Sequence, residues 1–246
     1  MPRGTPDGNA TIYGYAVKEI DPAAIYQYLW GFSPIDGAGR LVYLDTFNCG
    51  LGGFRLLSSG GGLDPVISNQ DSTFPFFVPP NVCNLDPGGT NDGRSQLARE
   101  LFFGKTKRIG LEVGLTVNNS VHDFFCQCDY NPVSGSPYTG GFYLNVQNGY
   151  IRTSPETTPI QYIYQNGAAF PTNIFMIQIK IVMDFSTGKF VRALIGDQLF
   201  DISDYPLSPS SSSLEGYATT FFSGYSLGTA LNPVKLGYVL ITKDEP

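Results

Sequence analysis

The chain has 246 residues, a net charge of -6, 42% hydrophobic and 14% aromatic residues, and 15% charged ones. That length is ample for one packed core that needs neither a disulfide nor a metal to hold it. With no Lys/Arg stripe a nucleic-acid backbone is excluded as a partner, and with no run of about 18 apolar residues a membrane-spanning helix is excluded too.

The opening residues, Met1-Pro2-Arg3-Gly4-Thr5-Pro6-Asp7-Gly8, lack the apolar stretch of a secretory signal. Cytoplasmic synthesis is therefore expected, with the chain staying there or leaving as part of a virus particle. Residues 1–39 read as an extended N-terminal arm. Within it, Asp21-Pro22 sets a helix start: an acid that caps, then a proline whose missing N–H costs nothing there. Residues 23–30 can make one short helix, which Gly31 and Pro34 end. Its side chains Ile25, Tyr28, Leu29 and Trp30 are the candidate contacts with a sheet edge or a neighbouring subunit.

From residue 40 to 246 the pattern predicts strands. Residues 41–44 open the domain, and residues 54–57 form a short strand in a Gly-rich stretch. Residues 64–94 predict either a long loop or a series of short extended pieces, rich in Pro, Asn, Asp and Gly. A strand is expected over 96–103. Over 108–117, Ile109, Leu111, Val113, Leu115 and Val117 alternate with Arg108, Gly110, Glu112, Gly114 and Thr116, which predicts a half-buried strand. Residues 124–129 follow, with Cys126 and Cys128 on one face. Residues 142–146 and 150–152 flank Asn148-Gly149, a pair that tolerates positive φ and so signals a hairpin. Further strands are expected over 160–164, 174–185, 190–195, 198–201, 217–223 and 236–242, with a turn at Ser186-Thr187-Gly188-Lys189. Strand after strand without helical crossovers predicts an all-β chain, an antiparallel β-sandwich of jelly-roll type.

Chemistry-bearing motifs are sparse. Cys49, Cys83, Cys126 and Cys128 read as free structural thiols, since the one histidine, His122, supplies no second half of a metal site. His122 itself reads as a surface residue in the turn Asn118-Asn119-Ser120-Val121-His122-Asp123, which offers no Gly-x-Ser-x-Gly nucleophile turn. Glu112, Asp123 and Asp129 read as single solvated or turn-forming acids. Asp86, Asn91 and Asp92 lie in a stretch dense in oxygen ligands, which leaves calcium open as a cofactor beside the simpler reading of turn formers. Tyr130, Tyr138, Tyr150, Tyr162 and Tyr164 are the candidate aromatic platforms for a sugar ring.

The C-terminal half resembles a known group. The long strand Phe175-Met176-Ile177-Gln178-Ile179-Lys180-Ile181-Val182-Met183-Asp184 runs into the turn Phe185-Ser186-Thr187-Gly188-Lys189-Phe190. Gly196-Asp197-Gln198-Leu199-Phe200-Asp201-Ile202 follows, and Leu236-Gly237-Tyr238-Val239-Leu240-Ile241-Thr242 closes the chain. With Tyr43-Leu44-Asp45-Thr46-Phe47 at the start, residues 40–246 look like the concanavalin A-like lectin/glucanase superfamily in its laminin-G-like form. The resemblance implies a sandwich whose last strand returns to pair near the first. Glucan-cleaving members carry a Glu-x-Asp-x-x-Glu strand whose outer carboxylates stand about 5.5 Å apart, and this sequence has none. The expectation is therefore a protein without enzymatic activity: a decoration, cement or tail-associated component of a particle, partnered by other subunits, as a homo-oligomer, and by glycan. A stand-alone carbohydrate-binding module is the alternative, and a glycoside hydrolase the distant one.

Overall fold

In a computed structural model, the structure describes residues 39–47, 50–69, 81–117, 122–146, 148–154, 159–162, 175–196, 198–211, 214–227 and 232–246. The expected arm and helix, with Ile25, Tyr28, Leu29 and Trp30, lie outside these residues, as do Tyr164 and Cys49.

Sixteen strands are described. They are β1 (Arg40–Asp45), β2 (Arg55–Ser59), β3 (Val66–Asn69), β4 (Asn81–Leu85), β5 (Asn91–Phe102), β6 (Arg108–Val117), β7 (Asp123–Tyr130) and β8 (Tyr138–Asn145). The second half supplies β9 (Tyr150–Ser154), β10 (Pro159–Tyr162), β11 (Phe175–Asp184), β12 (Lys189–Ile195), β13 (Gln198–Asp201), β14 (Ser208–Pro209), β15 (Tyr217–Leu227) and β16 (Val234–Lys243). They form two antiparallel sheets. The first runs β13-β12-β11-β6-β16-β4-β3, with β1 also on β16; the second runs β10-β9-β8-β7-β15-β5-β2, with β14 on β8. The sandwich expected from the strand pattern is thus the observed architecture, and the closing strand β16 does pair with the opening strand β1. Residues 64–94 take the form of short extended pieces, as far as they are described: β3, β4 and the start of β5.

Period-2 alternation sorts the side chains. Ile109, Leu111, Val113 and Leu115 of β6, with Ile177, Ile179, Ile181 and Met183 of β11, face Phe124, Cys126, Cys128, Tyr130, Phe142 and Leu144 of the second sheet across the core. Cys83, Cys126 and Cys128 are free and buried there, and desolvation pushes all three thiols above their usual range. In the opening strand, Asp45 explains the Asp-x-Phe pattern. Its carboxylate accepts from the Tyr43 hydroxyl (2.6 Å) and the Phe47 amide (2.7 Å), and the tight turn carries Phe47 into the core at positive φ.

The outer face of the first sheet differs from expectation. Strand β6 is buried on both sides: Glu112, read from sequence as solvated, is 0% exposed, and Lys180 on the neighbouring strand is 1% exposed. The reason lies in two glycines of β6. Gly114 leaves the gap over which the Tyr238 ring lies, and Gly110 leaves the gap that receives Thr242 and Glu245. Tyr238 donates to Glu112 (2.9 Å), while Glu245 receives Lys180 Nζ at 3.0 Å and Arg192 at 2.8 Å. Buried charges persist only when paired and hydrogen-bonded, and the Lys180–Glu245–Arg192 group meets that condition.

At the end of β11, Asp184 organises the expected turn. It accepts from the Ser186 amide (2.9 Å), the Ser186 hydroxyl (2.6 Å) and the Thr187 amide (3.2 Å), and pairs with Arg108 (2.9 Å). Burial alone would raise its pKa, but the Ser186, Arg108 and Thr187 bonds outweigh it and hold the carboxyl below the ordinary range. A carboxyl depressed in the folded state stabilises it above the unfolded pKa of about 3.9, and that stability is lost as pH falls through the folded value. Asp184→Asn should therefore lower the urea midpoint at pH 7, modestly because Arg108 is partly exposed, and the deficit should shrink as pH falls below the unfolded pKa of about 3.9. A deficit independent of pH would contradict this origin.

Candidate functional site

The outer face of the second sheet carries the densest set of ligand-competent side chains. In β7 the core residues Phe124, Cys126, Cys128 and Tyr130 alternate with Asp123, Phe125, Gln127 and Asp129 on the outer face. In register with Asp123 stand Tyr225 of β15 and, beyond it, Arg94 of β5. On the other side are Asn145 of β8 and Tyr150 of β9, which pair with each other. The next row runs Gln96, Ser223, Phe125, Tyr143 and Arg152 across the same five strands.

Asp123 is the hub. It is 2% exposed, and its carboxylate accepts from the Val146 amide (2.7 Å), from Asn145 Nδ2 (3.3 Å) and from the Tyr143 hydroxyl. Burial first and then the Asp123 charge drive the Tyr143 pKa upward, so this phenol remains a donor. The Arg152 guanidinium lies 4.8 Å from the Tyr143 ring centroid. Tyr225 repeats the device: its hydroxyl donates to Asp92 (2.6 Å), which raises its pKa, and Arg94 stands 5.6 Å from its ring. Sequence reading took Asp123 as a solvated or turn-forming acid; the hydrogen bonds from Tyr143, Asn145 and Val146 draw it in.

Four of the five tyrosines proposed from sequence fall among the described residues. Tyr130 is corrected: it is a core residue, hydrogen-bonded to the Gly104 and Thr106 carbonyls, with its pKa pushed up to about 12 by burial. Tyr138 is half-buried against the core, over Gly188. Tyr150 stands on the outer face, paired in register with Tyr162 of β10. Tyr143, Tyr225, Arg94 and Arg152 were missed. Each strand's alternation was legible, but which strands lie side by side was not.

Asp86, Asn91 and Asp92, the calcium candidates from sequence, are described. Asp86 caps its own turn at the Gly88 amide (2.9 Å), Asp92 receives Tyr225, and Asn91 starts β5 opposite Leu227. Among the described residues no group of three or more His, Cys, Asp or Glu side chains could hold a metal ion.

One string escaped the sequence reading: Gly224-Tyr225-Ser226-Leu227-Gly228 has the Gly-x-Ser-x-Gly spacing. A nucleophile turn needs a sharp strand-to-helix bend, whereas Ser226 lies within β15 and is buried. Because Tyr225 pairs with Asp123, Ser226 and His122 stand at one level on adjacent strands. His122 is corrected from surface to interior: it is 1% exposed, and its amide is tied to the Asn232 carbonyl (3.1 Å).

Two opposed antiparallel sheets, the first of which pairs the opening strand β1 with the closing strand β16, define a jelly-roll β-sandwich. No family model matches the chain, and no curated protein matches it either. Solved structures do match. The carbohydrate esterase of the Shiga toxin-encoding bacteriophage phi24B superposes with a TM-score of 0.50 at 10% identity, over 77% of this chain and 90% of that one. Peanut lectin gives 0.42 at 7% identity, over 77% and 97% of the two chains. The exoplasmic/lumenal domain of VIP36 with Ca2+ and Man3GlcNAc bound gives 0.42 at 10% identity, over 78% and 84%. At these identities the likeness is one of fold. The expectation of a chain without enzymatic activity is overturned here, because the fold is shared with a carbohydrate esterase.

Proposed function

We propose that the chain binds carbohydrate through the outer face of its second sheet, within a larger virus-type assembly. The observation that carries this reading is the arrangement around Asp123. Two tyrosine rings, Tyr143 and Tyr225, flank a buried carboxylate that fixes the Tyr143 hydroxyl, with Asn145 and Tyr150 alongside. Sugar rings present apolar faces that stack on aromatics and hydroxyls that need fixed polar partners. The fold shared with the phage carbohydrate esterase supports both the ligand class and the setting.

The test is a glycan array followed by titration calorimetry on the full chain. Tyr143→Ala and Tyr225→Ala should each weaken the best glycan roughly tenfold, on the scale of about 1–3 kcal/mol lost when a stacking or hydrogen-bonding aromatic is truncated. Tyr138→Ala should leave affinity unchanged when the variant is folded. Binding that is indifferent to Tyr143 and Tyr225 would move the site elsewhere.

A further inference from the structure

The outer face of the second sheet carries aromatic rings well beyond the surroundings of Asp123. On β15 the outward positions are Tyr217, Thr219, Phe221, Ser223 and Tyr225, because Ala218 and Phe222 point into the core. A ring therefore recurs at every second outward position, with a small side chain between. From Tyr217 to Tyr225 the strand spans roughly 26 Å, at about 3.3 Å per residue. Phe125 of β7 stands beside Ser223, one row before Tyr225.

The far end of this line lies open to solvent. Phe102 of β5 pairs in register with Tyr217; their ring centroids are 5.1 Å apart, and the two residues are 64% and 44% exposed. The Phe102 ring packs over bare backbone: a Cβ on Gly216 would stand 2.9 Å from its Cε2, and one on Gly104 would stand 3.8 Å from its Cε1. Two rings left in contact with each other and with water forgo the burial that ordinarily stabilises them. The spacing decides what covers them. A protein partner of ordinary size needs roughly 800 Å² of closely packed surface per side, whereas the polar pair Glu100 and Thr219 interrupts the apolar surface between Tyr217 and Phe221. Separate rings with polar gaps match instead a chain whose units each offer an apolar face edged with hydroxyls.

We propose that the carbohydrate is an extended polysaccharide, lying along β15 from Tyr225 past Phe221 to a distal subsite formed by Phe102 and Tyr217. A single sugar ring does not bridge that span; a chain of several sugars does. The inference rests on the carbohydrate-binding reading and goes beyond it by naming a second subsite and a polymeric ligand.

Titration calorimetry on the full chain tests it. The probes are trimers and hexamers cut from cellulose, mannan and chitin. In at least one series the hexamer should bind roughly tenfold more tightly than the trimer, or better. Phe102→Ala and Tyr217→Ala should each weaken that hexamer roughly tenfold, with unchanged circular dichroism, and should weaken the trimer less. Leu199→Ala, which truncates an apolar side chain 65% exposed on the other sheet, should leave both affinities unchanged. A trimer that binds as tightly as its hexamer in every series, or a hexamer indifferent to Phe102 and Tyr217, overturns the extended site and leaves carbohydrate binding standing. Short glycans captured on the array while no hexamer binds overturn it as well. Failure to bind any hexamer together with an empty glycan array removes both.

Discussion

Glu245→Ala should cost the folded protein about 3–5 kcal/mol, although the residue is the last but one in the chain. Glu245 is 4% exposed and uses both carboxylate oxygens: Oε1 meets Lys180 Nζ at 3.0 Å and the Thr242 hydroxyl, and Oε2 meets Arg192 at 2.8 Å. Truncation takes the carboxylate from an ammonium whose side chain is 1% exposed, so the charge stays buried while its counter-ion goes. That desolvation cost is what makes breaking a buried pair so much worse than never having had one. The check is a urea melt: the midpoint should fall steeply with little change in the slope. Lys180→Met combined with Glu245→Leu should recover much of the loss, because a packed apolar pair carries no desolvation penalty. A loss below about 1 kcal/mol for Glu245→Ala would show that the pair behaves as an exposed one.

Gly141→Ala should be the most damaging single-methyl change in the second sheet, at about 1–3 kcal/mol or more. A Cβ there would run into the Cys126 carbonyl and stand 2.8 Å from the Gln127 Cα, and both are backbone atoms of the neighbouring strand β7. No side-chain rotation relieves such a clash; β7 and β8 must shift apart. Since Tyr143 and Asp123 sit on those two strands, the variant should also lose glycan affinity in proportion to its structural change. Gly89→Ala is the control, because nothing lies within 4 Å of its Cβ position. It should be neutral within about 0.5 kcal/mol, the range of ordinary surface changes. Comparable melts for the two variants would show that close strand approach at Gly141 does not limit stability.

Much of the fold could be read from local pattern. The alternation over β6 foretold which side of the strand enters the core. Asn148-Gly149 foretold the β8–β9 hairpin, where Gly149 does take a positive φ and the Asn148 amide bonds to Asn145 Oδ1 at 2.7 Å. The turn after Asp184 was legible for the same reason: its residues bond mainly to one another. What local pattern does not carry is lateral order. Strand β15 inserts between β5 and β7, although well over a hundred residues separate it from β5. Asp123, Tyr225 and Arg94 become neighbours only through that insertion, so no spacing within the sequence marks them as a set. The same blindness produced the error over Tyr130, whose phase within β7 puts it among the core aromatics, 5.1 Å from Phe185 between ring centroids. Glu112 was misjudged because the bulk that covers it, Tyr238, arrives from β16.

The place of β16 also has a consequence for how the protein is made. Strands β1, β4 and β6 each have β16 as a partner, and it is the last strand described. A ribosome adding about 5–20 residues per second must therefore emit nearly the whole domain before the first sheet can close. In that interval β1, β4 and one edge of β6 present open backbone edges, which are templates for pairing with other nascent chains. The second sheet waits in the same way for β15. Assembly dominated by contacts distant in sequence is slow, so the yield of soluble protein should depend on how fast translation runs through the final strands and on holding chaperones at the exit, more than on the stability of the finished sandwich.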